Sequence, residues 1–110
     1  MSTGDRSAGE QLVRVHVVVH GLVQGVWFRE SCRRTASDLG VAGSVRNRAD
    51  GTVEAELEGP EPAVARVVAW CRQGPPRADV TGIDVTELER RPVSDGPAAP
   101  GSRYVGFHVR

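Results

Sequence analysis

The sequence predicts an α+β fold, in which a mostly antiparallel sheet carries two helices on one face. Three observations indicate this class: a stretch of alternating valines near the start, two segments with apolar residues at helical spacing, and further short alternating stretches between and after them. With 110 residues and 39% hydrophobic content, the chain is expected to build one domain around one core.

The first half of the domain is predicted to be a strand, a glycine-containing loop and a helix. Strand β1 begins at Leu12, because valines occupy every second position and more polar residues alternate with them. The valines are Val13, Val15, Val17 and Val19; the other side carries Arg14, His16, Val18 and His20. Helix α1 is indicated by apolar residues three and four positions apart, namely Phe28, Cys32, Ala36 and Leu39, and should end at Gly40.

The second half is predicted to be a hairpin, a helix and two more strands. We expect β2 over 41–47, a turn at Asp50 and Gly51, β3 over 52–58, α2 between Pro60 and Gly74, β4 over 80–88, a loop over 90–102 and β5 over 104–109. Residues 1–11 have no apolar period and are predicted to be a disordered leader before a domain over 12–110. The order β-α-β-β-α-β plus a fifth strand is typical of a ferredoxin-like sandwich.

The loop between β1 and α1 is the candidate anion site. Two glycines allow the backbone to turn its N–H groups toward one point, and the start of a helix adds positive potential. The predicted phosphate-binding residues are Gly21, Leu22, Val23, Gln24, Gly25 and Val26, with Arg29 in the first helical turn. In this fold β1 and β2 run in the same direction on either side of β3, so their ends lie about 10 Å apart. Asn47, at the end of β2, should therefore face the same small molecule as Arg29.

Composition and charge restrict the partners. Fourteen basic and fourteen acidic residues balance, so no net field attracts nucleic acid or a membrane. No apolar run approaches a membrane span and no signal peptide is visible, which predicts a cytoplasmic protein, with a monomer as the default. Cys32 and Cys71 lack metal-type spacing and are expected to be free thiols. No metal or other cofactor is predicted. Trp27 and Trp70 are expected to be packing residues.

Three blocks resemble the acylphosphatase family: residues 21–29 (GLVQGVWFR), 43–47 (GSVRN) followed by 50–54 (DGTVE), and 74–80 (GPPRADV). The resemblance implies hydrolysis of acyl phosphates to carboxylate and inorganic phosphate, without a metal or a covalent phosphoenzyme, and strand order 4-1-3-2-5. It implies that Arg29 binds phosphate and that Asn47 positions the attacking water. Two features depart from the family pattern: Ser44 replaces the usual tryptophan, and the loop over 90–102 is longer.

Two other readings compete with this one. An RNA-binding domain can share the same element order, but it needs aromatic residues on the open faces of β1 and β3, where this chain offers glutamates. A catalytically silent phosphate-binding or regulatory module of the same fold is the second alternative, and only the retained pair of Arg29 and Asn47 weighs against it.

Overall fold

The computed structural model describes residues 11–92 and 103–110, which form one five-stranded sheet with two helices. The elements are β1 (Gln11–Leu22), α1 (Phe28–Asp38), β2 (Ala42–Asn47), β3 (Val53–Pro60), α2 (Glu61–Gln73), β4 (Asp79–Pro92) and β5 (Phe107–Val109). The strand order is β4-β1-β3-β2-β5, with all neighbours antiparallel except the parallel pair β2 and β5. The predicted ferredoxin-like α+β fold and its strand order are confirmed.

The core lies between the sheet and the helices. The predicted inward valines of β1 are buried, and Val17 and Val19 have no exposed surface. Phe28 at the start of α1 is also buried, and its ring lies 5.1 Å from that of Trp70 on α2. Because Phe28 precedes Arg29 directly, this aromatic contact anchors the first turn of α1 to the rest of the core.

The last two strands differ from the prediction. β4 extends to Pro92, so the predicted loop is wrong for residues 90–92; the rest of that loop, 93–102, lies outside the described residues. β1 supplies partners along its whole length, and two shifts in register each leave one extra residue in β4. β1 itself begins at Gln11, one residue before the predicted start, and residues 1–10 of the predicted leader are also outside the described part.

β5 is shorter than predicted because an acidic side chain binds the backbone before it. The buried carboxylate of Glu58 accepts hydrogen bonds from the main-chain N–H groups of Arg103 and Tyr104. These amides therefore point to a side chain rather than to a neighbouring strand, and strand pairing starts only at Phe107.

The sheet face without helices is polar and internally paired. His16 lies 2.6 Å from Glu54, Arg14 donates to Glu89, and the Tyr104 hydroxyl donates to Glu56. Ser44 is on this face, within 3.4 Å of the Tyr104 hydroxyl, and not on the face of β2 that carries Asn47. The departure from the family pattern at Ser44 is therefore separated from Asn47 by the sheet.

Candidate functional site

The loop between β1 and α1 comprises residues 23–27, because Gly21 and Leu22 belong to β1 and pair with β4. Gly21 has a φ of 118°, and a Cβ there would lie 2.1 Å from the carbonyl oxygen of Asp79. Gly21 is thus required for close packing against β4. Gly25 also has a positive φ, 75°, with open space around it, so its role is to allow the left-handed turn of the loop.

The amide groups of this loop are available to a ligand. No hydrogen bond joins the main-chain N–H of Val23, Gln24, Gly25 or Val26 to an acceptor within residues 11–92 and 103–110. The loop leads directly into α1, whose first N–H groups have no partner inside the helix. Unpaired amides and a helix N-terminus together favour an anion at this point.

The side chain of Gln24 fixes the loop to the β2–β3 hairpin. Its Nε2 donates to the carbonyl oxygens of Arg48 at 2.7 Å and Thr52 at 3.0 Å. Asp50 closes the hairpin from within, since it accepts hydrogen bonds from both the main-chain N–H and the hydroxyl of Thr52. The sequence predicts a phosphate-binding role only for the main-chain N–H of Gln24. Its side chain contacts residues 24 and 28 positions away along the chain, and no local sequence pattern indicates these contacts.

The guanidinium group of Arg29 is held by the main chain and has no acidic side chain as a partner among the described residues. Its Nη1 donates to the main-chain oxygen of Arg110 at 3.1 Å, and Arg110 is itself held to β2 by its N–H, which donates to Val45. Within the described part of the chain, Arg29 forms no ion pair with an Asp or Glu side chain. The nearby Glu30 is occupied by Arg33, whose hydrogen bond lowers the pKa of that carboxyl group. No Asp or Glu side chain of the described residues therefore competes with an anionic ligand for Arg29.

Asn47 lies at the end of β2, opposite Val53 of β3. It is on the helix-facing side of the strand, two residues after the fully buried Val45. Its amide has no hydrogen-bond partner in the ranges that the structure describes, so it is free to bind water.

Arg29 and Asn47 line the same cavity, as the strand topology predicts. The cavity measures about 380 Å³ and is lined by Val23, Gly25, Trp27, Phe28, Arg29, Glu30, Asn47 and Val109. The structure thus brings together three of the predicted site elements: the loop, the arginine and the asparagine. Gly21, Leu22, Gln24 and Val26 are not among the lining residues, and the role of the predicted loop residues in phosphate binding stays a prediction.

Trp27 contradicts its predicted packing role. It is 72% exposed and has a left-handed backbone conformation with φ 68°, the only such non-glycine residue in the described ranges. A bulky residue in this conformation carries a strain of roughly 1–2 kcal/mol. Trp70, by contrast, packs against the core as predicted. The sequence predicts burial for Trp27 because an aromatic residue next to a helix usually packs against the core. Its position, however, falls outside the apolar stripe of α1.

The two cysteines lie on the facing helices and are fully buried free thiols. A hydrogen bond with Cys71, and then burial, raise the pKa of the Cys32 thiol. Among the described residues no group of three His, Cys, Asp or Glu side chains is arranged to hold a metal ion. In the same part of the chain, every helix is too short or too polar to cross a membrane.

Comparison with known proteins identifies relatives along most of the chain. The acylphosphatase family model matches residues 15–96. An acylphosphatase of Methylococcus capsulatus is 57% identical over 75 residues, which cover 68% of this chain and 82% of the relative. One from Rubrobacter xylanophilus is 48% identical over 103 residues, covering 94% and 84%. The solved structure of an acylphosphatase from Coxiella burnetii superposes with a TM-score of 0.77 at 33% identity, covering 91% of this chain and 94% of that one.

Proposed function

This chain belongs to the acylphosphatase family and is an acylphosphatase, and from that premise we propose which of its residues hydrolyse the acyl phosphate. Arg29 and the amides of the loop bind the phosphoryl group, and Asn47 positions the attacking water. One observation carries the proposal: Arg29, Asn47 and the loop line a single cavity, while their hydrogen-bonding groups remain available.

Arg29 binds the phosphoryl group through charge and shape. Its guanidinium carries a positive charge and offers planar, paired donors to two phosphate oxygens. The hydrogen bond to Arg110 restrains the group before substrate arrives, which reduces the entropy lost on binding. The loop amides extend this cradle around the remaining oxygens, so that developing negative charge meets fixed dipoles.

Asn47 acts by positioning water. Its side-chain oxygen accepts a hydrogen from water and its amide donates to a phosphoryl oxygen, without serving as a base. The water oxygen attacks phosphorus, the bond between phosphorus and the bridging oxygen breaks, and the acyl carboxylate leaves. A phosphoryl oxygen takes the proton from the water. Placement and charge stabilisation are sufficient for a loose phosphoryl-transfer transition state.

The reaction needs no metal in this proposal, because Arg29 and the amides supply the positive potential that a cation would otherwise provide. We further propose that the enzyme is a cytoplasmic monomer that uses a small acyl phosphate and is inhibited by its product, inorganic phosphate. A reducing cytoplasm would keep Cys32 and Cys71, which are buried on facing helices, as free thiols. Light scattering on the purified chain tests the monomer.

The test is hydrolysis of acetyl phosphate in ¹⁸O-labelled water with and without EDTA. We expect turnover to be unaffected by the chelator and the label to appear in phosphate, since water attacks phosphorus. Label in acetate would contradict the role of Asn47, and loss of activity with EDTA would contradict metal independence. Phosphate binding without turnover would favour the silent phosphate-binding module.

A further inference from the structure

Trp27 stands at the rim of the cavity, with its indole in water. It lines the cavity together with Arg29, two residues further on, and is 72% exposed. An exposed tryptophan alone is common on protein surfaces. Its position beside the phosphate cradle is the first sign of a function.

The backbone at Trp27 gives an independent indication. Its left-handed φ of 68° is one that glycine or asparagine adopts at little cost and a bulky side chain rarely does. The other tryptophan of the chain, Trp70, is held by the ring of Phe28, whereas Trp27 has no aromatic partner in residues 11–92 and 103–110. No aromatic contact among the described residues accounts for an indole at this position, whereas a ligand in the cavity that Trp27 lines would contact it.

The cavity is lined by both polar and apolar residues. The polar side chains are those of Arg29, Glu30 and Asn47, and the apolar ones are those of Val23, Phe28, Val109 and Trp27. With the phosphoryl group at Arg29, the acyl group of the same substrate would contact some of these apolar residues. A flat ring there would stack on the indole face, which is the arrangement that aromatic pairs favour.

We propose that Trp27 is a specificity-determining residue that stacks on the acyl group, and that this enzyme prefers acyl phosphates with an aromatic acyl group over those with a small aliphatic one. The inference rests on the proposed function and deepens it by naming the class of acyl group. Binding of the ring lowers the free energy of substrate and transition state alike, so its effect is expected mainly in KM.

The kinetic test compares benzoyl phosphate with acetyl phosphate. Trp27→Asn keeps a residue that tolerates the left-handed backbone but removes the ring, and Trp27→Phe restores a ring. We expect the ratio of kcat/KM for benzoyl to acetyl phosphate to fall about 3- to 10-fold in Trp27→Asn, mainly through KM, and to recover in Trp27→Phe. Val105→Asn, at a 90% exposed position outside the cavity lining, is the matched control. An unchanged ratio in Trp27→Asn overturns the proposal.

A binding test separates this inference from the hydrolysis itself. In Trp70→Phe, Trp27 is the only tryptophan left, so its fluorescence reports directly on the cavity. We expect phenylphosphonate, which is not hydrolysed, to change this fluorescence. Titration calorimetry should show that it binds the parent more tightly than methylphosphonate does, with the two affinities becoming equal in Trp27→Asn. This result would support the stacking role of Trp27 even if no acyl phosphate were hydrolysed. Equal affinities in the parent, or no binding of either phosphonate, would overturn it.

Discussion

Replacement of Arg29 by alanine should lower kcat/KM for acyl phosphates by about 10²- to 10⁴-fold without unfolding the protein. One donor of the guanidinium is used by the main-chain oxygen of Arg110, and the others are free to bind phosphate. Each hydrogen bond from a charged donor contributes about 1.5–3 kcal/mol, so a paired contact with two phosphate oxygens contributes about 3–6 kcal/mol. At 1.4 kcal/mol per tenfold change, this gives the predicted range.

The measurements are kcat/KM with acetyl phosphate and the inhibition constant of inorganic phosphate. Arg29→Lys keeps the charge but not the planar pair of donors, and should fall between the parent and the alanine variant. Arg66→Ala is the matched control, because Arg66 is exposed on α2 and does not line the cavity. Thermal unfolding of each variant shows whether the fold is retained.

One outcome would refute the reasoning. If folded Arg29→Ala were inhibited by phosphate as strongly as the parent, the guanidinium would not bind the phosphoryl group. The loop amides would then have to bind the phosphoryl group alone, and the proposed role of Arg29 in this cavity would be wrong.

Three further predictions follow from the same structure. Asn47→Ala should still bind phosphate, while kcat falls about 10²- to 10³-fold; weaker phosphate inhibition at unchanged kcat would contradict this. Cys32 and Cys71 should react slowly with a thiol reagent in the native protein and both react after denaturation, and fast native labelling would contradict their burial. A hydrogen bond with His16 lowers the pKa of Glu54 in the folded state. The charged Glu54 carboxylate therefore stabilises the fold at neutral pH, and this stabilisation is lost as the pH falls through the lowered pKa. Urea midpoints of Glu54→Gln should therefore fall less than those of the parent between about pH 6 and pH 3, and an equal fall would count against it.

The parts of the fold that the sequence predicts well are those with a strict local period. Valine occupies every second position of β1 from Val13 to Val19, and the two glycines that follow favour a backbone turn. Topology then brings Asn47 to the end of the sheet nearest Arg29, since two parallel strands separated by one must end side by side. The convergence of these two residues on one cavity was accordingly predictable.

The predictions that the structure contradicts concern features that the local sequence pattern does not determine. β4 is an edge strand with polar residues on both faces, so its pattern gives no clear end, and only its pairing with β1 shows that it reaches Pro92. The start of β5 is set by Glu58, 45 residues before the amide that it binds. The exposure of Trp27 is decided by the backbone at one residue, for which hydrophobicity is a misleading guide.

The short parallel strand β5 links the site to local unfolding. Only three residue pairs join it to β2, yet the residue that follows it holds Arg29 across 81 positions of sequence. So short an element should open more readily than the central strands, with fast amide hydrogen exchange and a free energy of opening below that of global unfolding. Each such opening releases the guanidinium from Arg110 and removes Val109 from the cavity wall. The fraction of molecules competent for catalysis is therefore expected to follow the closed population of β5, and to decline under mild denaturing conditions while β1 and β3 remain paired.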